Sequence, residues 1–341
     1  MNDIDIVTRN AEEVVTVEEL REVLSKDEKK AYIGFEPSGL VHIGWNICSN
    51  KIKDLVRAGF EVTVLLADWH AWVNDKFNGN MEAIRDCGEY MKDCFSALGV
   101  NNVDYLYASD YVNDARYWEL VLRVAKNASM ARIRRAMDIM GREAEEAEKD
   151  FSKFLYPAMQ VADIFYLDLD LAYGGMDQRH AHMLCRDIAK KMNAKKPVAL
   201  HTPILSSLES GERMDVAKMS KSKPKSCIFI HDSEEEIRKK IRSAYCPEGV
   251  VEENPILEMC RYVIFPEYGK MVIERDEKYG GNMEFEDYSR LEKMFGNREI
   301  HPLDLKNAVA KYLNEILEPV RKYFDAKPEN LEKVKRHLGI D

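Results

Sequence analysis

Residues 37–45 read PSGLVHIGW, a turn between the apolar run AYIGF and a stretch of helical spacing, NICSNKIKDLVRAGF. A strand that turns through proline, serine and glycine into a helix start suits phosphate, because the first helical turn offers unpaired N–H groups and the positive end of the dipole. Gly39 and Gly44 would let a polyphosphate approach the backbone, and His42 would donate to a phosphate oxygen. KMSKS at 218–222 brackets two serine hydroxyls with two lysines in a Pro-flanked loop. Lysine acts there as a point charge able to follow phosphates as they separate. Alone, a small loop with one histidine is more often structural, and a lysine-rich loop is commonplace.

A third group lies mid-chain. Tyr156, Gln160 and Asp163 are spaced i, i+4, i+7 and share one helix face; Pro157 is tolerated if it falls in a first turn. A tyrosine, an amide and a carboxylate together would be an odd core stripe, so the face is either a ligand site or a plain exposed polar face. GGMDQ at 174–178 reads as a strand-to-helix turn whose glycines would admit a ligand near the backbone. Asp68 and His70 end a strand, and either line a crevice or serve structure.

These residues need a scaffold. The 341 residues suffice for two domains. At 45% hydrophobic and 32% charged, with no apolar run near the roughly 18 residues of a membrane span, the chain reads as soluble. Its acidic N-terminus lacks a signal-peptide core, which makes the cytoplasm the expected location. The net charge of −10 is unusual for a nucleic-acid binder, but KMSKSKPK, RIRR (132–135) and RKKIR (238–242) concentrate positive charge locally. The seven cysteines form no CxxC and the eight histidines no ligand cluster, so no structural metal or disulfide framework is expected. The cysteines read as small buried hydrophobes.

AYIGF, EVTVLLAD (61–68), VDYLYAS (103–109), LDLDLAYGG (167–175) and KPVALHTPIL (196–205) read as strands alternating with amphipathic helices, which predicts an α/β doubly wound parallel, Rossmann-like sheet. In such sheets ligands bind at the carboxyl ends of the strands. Residues 112–155 carry no strand signal and read as a helical insertion. The expected boundaries are 1–212 for the sheet domain, 213–232 for the KMSKS loop and linker, and 233–341 for a mainly α domain. In the last, Leu305, Val309, Leu313, Ile316 and Val320 recur at helical intervals, and DAKPENLEKVKRHLGID ends as a short charged helix or frayed tail. Capping boxes are expected at Thr16/Glu19 and Ser233/Glu236.

HIGW together with KMSKS resembles the paired signature of class I aminoacyl-tRNA synthetases, whose first motif usually reads His-Ile-Gly-His. More narrowly, AYIGFEPSG, YPAMQVADI, GGMDQRHAHM and HPLDLKNAV resemble the tyrosyl-tRNA synthetases of archaea and eukaryotes over nearly the whole chain. The resemblance implies activation of L-tyrosine by ATP, carried with Mg²⁺, to tyrosyl-adenylate, then transfer to the 3′ end of tRNA(Tyr). It implies that Tyr32 and Asp163 bind the phenol and that Tyr156, Gln160 and Gln178 hold the ammonium and carboxylate, with Glu36 lining the pocket. ATP would meet Gly39, His42, Gly44, Gly174, Gly175, Asp177, Lys218, Ser220 and Lys221, with His42, Lys218, Lys221 and Ser222 acting in catalysis. The mainly α domain would bind the anticodon: Asp304 reads its first base, Tyr279 and His301 stack that base, and Arg135 meets the acceptor stem. The lysine expected beside that arginine falls on His180. A homodimer joined through the inserted segment is also implied.

A tryptophanyl enzyme shares the architecture, and a non-catalytic paralogue would keep the fold; Tyr32 with Asp163 favours a phenol over an indole, and an intact KMSKS favours catalysis. Trp45 stands where the second histidine usually does. It falls on an apolar stripe with Cys48, Ile52, Leu55 and Val56, so its ring is expected in the core, leaving phosphate stabilisation to His42 and the lysines.

Overall fold

A computed structural model describes residues 2–141, 150–209 and 226–340. Lys218, Ser220, Lys221 and Ser222 therefore lie outside the described residues, as does most of the expected linker 213–232. Two compact units emerge: Met1–Gly39 with Cys48–Pro203 and Glu329–Asp341, and Leu40–Ile47 with Ile204–Pro328.

The first unit is built on six strands: β1 (Glu13–Val15), β2 (Lys30–Phe35), β3 (Glu61–Leu66), β4 (Asp104–Tyr107), β5 (Leu171–Gly175) and β6 (Val198–Thr202), in the order β1-β6-β5-β2-β3-β4. The five expected strands are β2 to β6, all mutually parallel. β5 begins later than the alternation of 167–175 suggested, because Leu167 caps the preceding helix. β1 was not foreseen; three residues are too few for a period, and it runs antiparallel to β6, pairing Glu13 with His201. Ala31, Tyr32 and Ile33 on β2 and Val64, Leu65 and Leu66 on β3 are all buried, as strands covered on both faces require. Each such large side chain contributes about 1.5–3 kcal/mol.

Chain order reverses between β2 and β5, whose Tyr32 and Ala172 are partners. A parallel sheet opens a crevice beyond the carboxyl ends of its strands at such a point. The described part of residues 112–155 is free of strand, as expected, and forms the helices Ala115–Asn127 and Met130–Ala136, a turn at Met137–Met140, and the start of Phe151–Tyr166. Asp150 caps that last helix, accepting from the Ser152 N–H at 2.9 Å. Pro157 accordingly lies in its second turn, not its first, and the Lys153 carbonyl loses the donor four residues on.

The N-terminal segment is tied down. Lys51, 2% exposed, gives its Nζ to the carbonyls of Val7 and Arg9, and burial lowers its pKa to about 8. Arg9 grips Asp54 through both Nε and Nη2. The capping boxes at Thr16/Glu19 and Ser233/Glu236 both form.

In the second unit, residues 40–47 pair with 228–230: Ile43 N–H donates to Ile228 at 2.8 Å and Ile230 N–H to Val41 at 3.1 Å. The long helix Pro302–Ala326 buries Leu305, Val309, Leu313, Leu317 and Val320, with Ile316 at the margin of that face. A hairpin of β7 (Met271–Ile273) and β8 (Met283–Phe285) was not foreseen among these helices. Helix Gly44–Arg57 carries the Trp45 stripe: Ile52 and Leu55 are fully buried, but Trp45 itself is only half-buried and not the core residue expected.

Residues 329–341 group with the first unit and not with 233–328, as the sequence boundaries had it. The tail is the helix Glu329–Leu338, which buries Leu331, Val334 and Leu338 and packs on the helix Met81–Ala97.

Candidate active site

At the reversal point of the sheet, Tyr32 and Asp163 are each 1% exposed. The helix Phe151–Tyr166 brings Asp163 in, and the Tyr111 hydroxyl donates to its Oδ1 at 2.7 Å. His70 Nε2 stands 3.1 Å from Oδ2, outside hydrogen-bond alignment, and neither ring nitrogen has a hydrogen-bond partner among the described residues. Burial alone would push the His70 pKa down, but the Asp163 carboxylate, with Glu36 and Asp68, carries it above the ordinary value. Burial and then the Asp163 charge raise the pKa of Tyr32, Tyr111 and Tyr117, so all three remain phenols. A buried carboxylate ringed by neutral hydroxyls has acceptor capacity to spare, since its two oxygens offer about four lone-pair sites.

The rest of the expected pocket follows along the same helix. Tyr156 is buried and meets the His70 ring edge-on at 5.1 Å between centroids. Burial and then Glu36 hold its hydroxyl protonated. Gln160 Nε2 donates to Gln178 Oε1 at 2.9 Å, while Gln160 Oε1 is buried with no hydrogen-bond partner among the described residues. Such an orphan costs about 1–3 kcal/mol unless a ligand satisfies it. Gln178 in turn donates to Asp177 at 2.8 Å. Gly174 is needed at close quarters: a Cβ there would come within 2.7 Å of Gln178 Cγ, so a side chain would evict the glutamine. Glu36 accepts both Oε1 and Oε2 contacts from Asn74 Nδ2, at 3.0 and 3.1 Å, and Lys76 Nζ lies 3.4 Å away.

Asp68 is tied to the backbone through one oxygen, while its Oδ2 is buried with no hydrogen-bond partner among the described residues. Its Oδ1 accepts the N–H groups of Trp69 and Ser109 at 2.9 and 3.0 Å. Behind the pocket lies a chain that the sequence did not suggest: His182 Nδ1 to His201 Nε2 at 3.0 Å, His201 Nδ1 to Glu13 at 3.0 Å, and Arg179 gripping Glu13 through Nε and Nη2 at 2.8 Å each. The Glu13 carboxylate can only accept, so His201 donates through Nδ1 and His182 through its own Nδ1. Burial lowers the pKa of both rings, which keeps them neutral and the tautomers fixed. Glu13 is far from the other three in sequence, and β1 pairing with β6 brings it to them.

In the second unit, Gly44 N–H donates to His42 Nδ1 at 3.1 Å. That bond places the proton of the neutral ring on Nε2. Burial lowers the His42 pKa to about 4, so it is a neutral donor at pH 7. A Cβ on Gly44 would come 2.8 Å from His42 Cε1.

The first unit thus brings together Tyr32, Glu36, Tyr156, Gln160, Asp163, Asp177 and Gln178, and also carries Gly39, Gly174 and Gly175. Arg135 is exposed at the end of helix Met130–Ala136, and His180 pairs with Asp138 at 3.3 Å. Tyr279, 65% exposed, occupies the connection between β7 and β8 with Lys278 Nζ over its ring. His301 caps the long helix, its Nδ1 accepting from Leu303 N–H at 3.2 Å, and Asp304 stands in the first turn. Among the described residues no cluster of three or more metal-ligating side chains occurs, and no helix is long and apolar enough to cross a membrane.

Three comparisons bear on this geometry. The family model of class I tRNA synthetases (W and Y) matches residues 24–318. A tyrosine–tRNA ligase of Saccharolobus islandicus is 53% identical over 348 residues, covering 98% of this chain and 96% of that protein. The crystal structure of tyrosyl-tRNA synthetase from Aeropyrum pernix superposes with a TM-score of 0.89 at 45% identity, over 99% of this chain and 98% of that one. That of the Archaeoglobus fulgidus enzyme complexed with L-tyrosine gives 0.86 at 45% identity, over 94% and 98%.

Proposed function

Because the chain belongs to the class I tRNA synthetases of the W and Y group, and within them to the tyrosyl enzymes of archaeal type, we propose a residue-level account of how it ligates tyrosine to tRNA. Tyrosine and ATP give tyrosyl-adenylate and pyrophosphate, and the tyrosyl group then passes to the ribose at the tRNA 3′ end as AMP leaves.

The observation that carries the account is the buried Asp163 carboxylate, bonded by the Tyr111 hydroxyl and flanked by His70, with Tyr32 in its field. A phenol O–H donates into that arrangement; a phenyl ring or an indole leaves it unanswered. The orphaned Gln160 Oε1 accepts from the substrate ammonium, aided by Tyr156, Gln178 and the negative charge of Glu36. The substrate carboxylate, already ionised at neutral pH, attacks the α-phosphorus in line, so no protein base is required. Catalysis is positioning plus stabilisation of phosphate charge. His42 supplies a neutral Nε2–H donor, and Lys218, Lys221 and Ser222, with Ser220, follow the departing pyrophosphate. Gly39, Gly44, Gly174 and Gly175 border the nucleotide, and Asp177 accepts from its ribose. Mg²⁺ arrives with ATP.

For tRNA, Asp304 reads the first anticodon base, Tyr279 and His301 stack it, and Arg135 meets the acceptor stem; exposed aromatics and a carboxylate on a helix start suit splayed bases. The homodimer contact lies in the inserted segment, where Leu122, Met130 and Phe151 are 61%, 55% and 74% exposed. The working compartment is the cytoplasm. Asp304→Ala is expected to lower tRNA(Tyr) charging by about tenfold, one to two kcal/mol of base recognition, with adenylate formation unchanged. Equal losses in charging and in ATP–pyrophosphate exchange would remove the anticodon role.

ATP–pyrophosphate exchange with each of the twenty amino acids tests the whole reading. Exchange with tyrosine alone is expected. Exchange with tryptophan, or with none, would overturn it.

A further inference from the structure

The helix Glu329–Leu338 has no part in the account above, yet it reaches toward the amino-acid pocket through a short series of contacts within the first unit. The series starts at Glu36, held by Asn74 and Lys76. Asn74 is fully buried and also gives its amide to the Met140 carbonyl at 3.1 Å. The turn that follows is strained: Asp75, Phe77 and Asn78 have φ of +52°, +48° and +56°. Side-chain-bearing residues rarely adopt that conformation, a phenylalanine least of all, and it persists only where the surroundings enforce it.

Two groups pack against it. On one side Lys153, 2% exposed, gives its Nζ to the Val73 carbonyl and to Asp75 Oδ2 at 2.6 Å. On the other side the Phe77 ring meets the His337 ring edge-on, 6.3 Å between centroids. His337 is itself anchored, with Nε2 2.9 Å from Asp86 Oδ2, and Lys333 Nζ lies 3.3 Å from Asp86 Oδ1. Asn330 donates to Asp93 at 2.8 Å. Asp86 and Asp93 belong to the helix Met81–Ala97, whose cap Asn80 ends the strained turn. The contacts are contiguous from the C-terminal helix to Glu36.

We infer that the helix Glu329–Leu338 is a positioning element for tyrosine binding, in which His337, set by Asp86, presses on Phe77 and so fixes the turn that aims Asn74 and Lys76 at Glu36. The inference rests on the reading of Glu36 as a wall of the tyrosine pocket. If the Phe77–His337 contact is lost, the turn relaxes and Glu36 loses its orientation, weakening tyrosine binding without touching ATP or the reacting atoms.

The test is tyrosine-dependent ATP–pyrophosphate exchange on the full chain with Glu36→Gln, Phe77→Ala, His337→Ala and the Phe77→Ala/His337→Ala pair, alongside thermal unfolding. Phe77→Ala and His337→Ala should each raise the tyrosine KM about threefold to tenfold, with kcat and the ATP KM unchanged. The double variant should be no worse than the worse single, because both remove one contact. An unchanged tyrosine KM in the single variants, or a parallel fall of kcat, both KM-derived affinities and unfolding temperature, overturns the inference. Glu36→Gln separates the two readings. If it raises the tyrosine KM while Phe77→Ala and His337→Ala do not, the pocket reading survives and the positioning role fails. If it leaves the tyrosine KM unchanged, the pocket reading fails and takes the inference with it. Should Phe77→Ala not fold, Phe77→Leu and the partly exposed His337→Ala decide by the same criteria.

Discussion

Asp163→Asn is expected to lower kcat/KM for tyrosine in ATP–pyrophosphate exchange by about 10²–10³, with the ATP KM within about twofold of the native value. The asparagine keeps the volume, so the core around Val161, Ala162 and Ile164 stays packed. What goes is the charge. A hydrogen bond to an ionised acceptor contributes about 1.5–3 kcal/mol, and the amide N–H₂ would face donors that the carboxylate had accepted. Tyr111 loses its charged partner at 2.7 Å, and Tyr32 and Tyr117 lose the field that helps hold them as phenols. Each 1.36 kcal/mol is tenfold in rate, so loss of the charged bond alone gives about 10–10². The unmet amide donors, at about 1–3 kcal/mol for an unpaired buried group, bring the loss to the range stated. Phenylalanine should gain relative to tyrosine, since it leaves fewer groups unanswered in the variant. Discrimination of a phenol from a phenyl ring by unpaired buried groups is best known from tyrosyl-tRNA synthetases themselves, so its size is theirs and no new result; the groups that lose partners are particular to this pocket. A variant that retains kcat/KM to within about threefold would remove Asp163 from the phenol site.

The second large effect falls on the phosphates. His42→Ala should reduce the exchange kcat by about 10²–10³, the usual consequence of deleting one aligned donor to developing negative charge, while the tyrosine KM stays put. The imidazole is not charged in this role: burial takes its pKa to about 4, and Gly44 N–H fixes which nitrogen holds the proton. Gly44→Ala should therefore mimic much of the loss with His42 intact, because the new methyl must displace a ring 2.8 Å away. A kcat unchanged in His42→Ala, or a loss confined to the tyrosine KM, would contradict the assignment. Trp45 sharpens the expectation. Its indole carries a single donor and no positive charge, so His42 has no second histidine beside it in the HIGW turn.

Much of this was legible in the sequence because it was local or periodic. Five apolar runs became the five parallel strands, and the i, i+4, i+7 spacing of Tyr156, Gln160 and Asp163 did place them on one inward face. What stayed hidden depended on chain ends meeting or on helix limits. β1 is three residues long and acquires meaning only beside β6. The chain from Arg179 through Glu13 and His201 to His182 needs that pairing to exist. Tyr111 follows β4 as Asp68 follows β3, so the rule that ligands gather beyond strand ends would have found it had the DYVND segment been read with the same question. Pro157 suggested a helix start, but the Asp150 cap sets the true one. Residues 329–338 read as a short charged helix or a frayed tail because their charges outnumber their apolar residues; the helix forms, and Leu331, Val334 and Leu338 give it a narrow face, enough to dock.

β1 has one more consequence. All five residues of β6, VALHT, are buried, and on the side away from β5 their backbone groups are answered by Glu13–Val15. Were the N-terminal residues released, β6 would present an apolar, uncovered row of N–H and C=O groups, the surface on which a foreign strand adds and aggregation begins. The apolar edge of β6 is thereby replaced by an edge strand only three residues long, and Arg9 on Asp54 with Lys51 on the Val7 and Arg9 carbonyls holds that short cover in place.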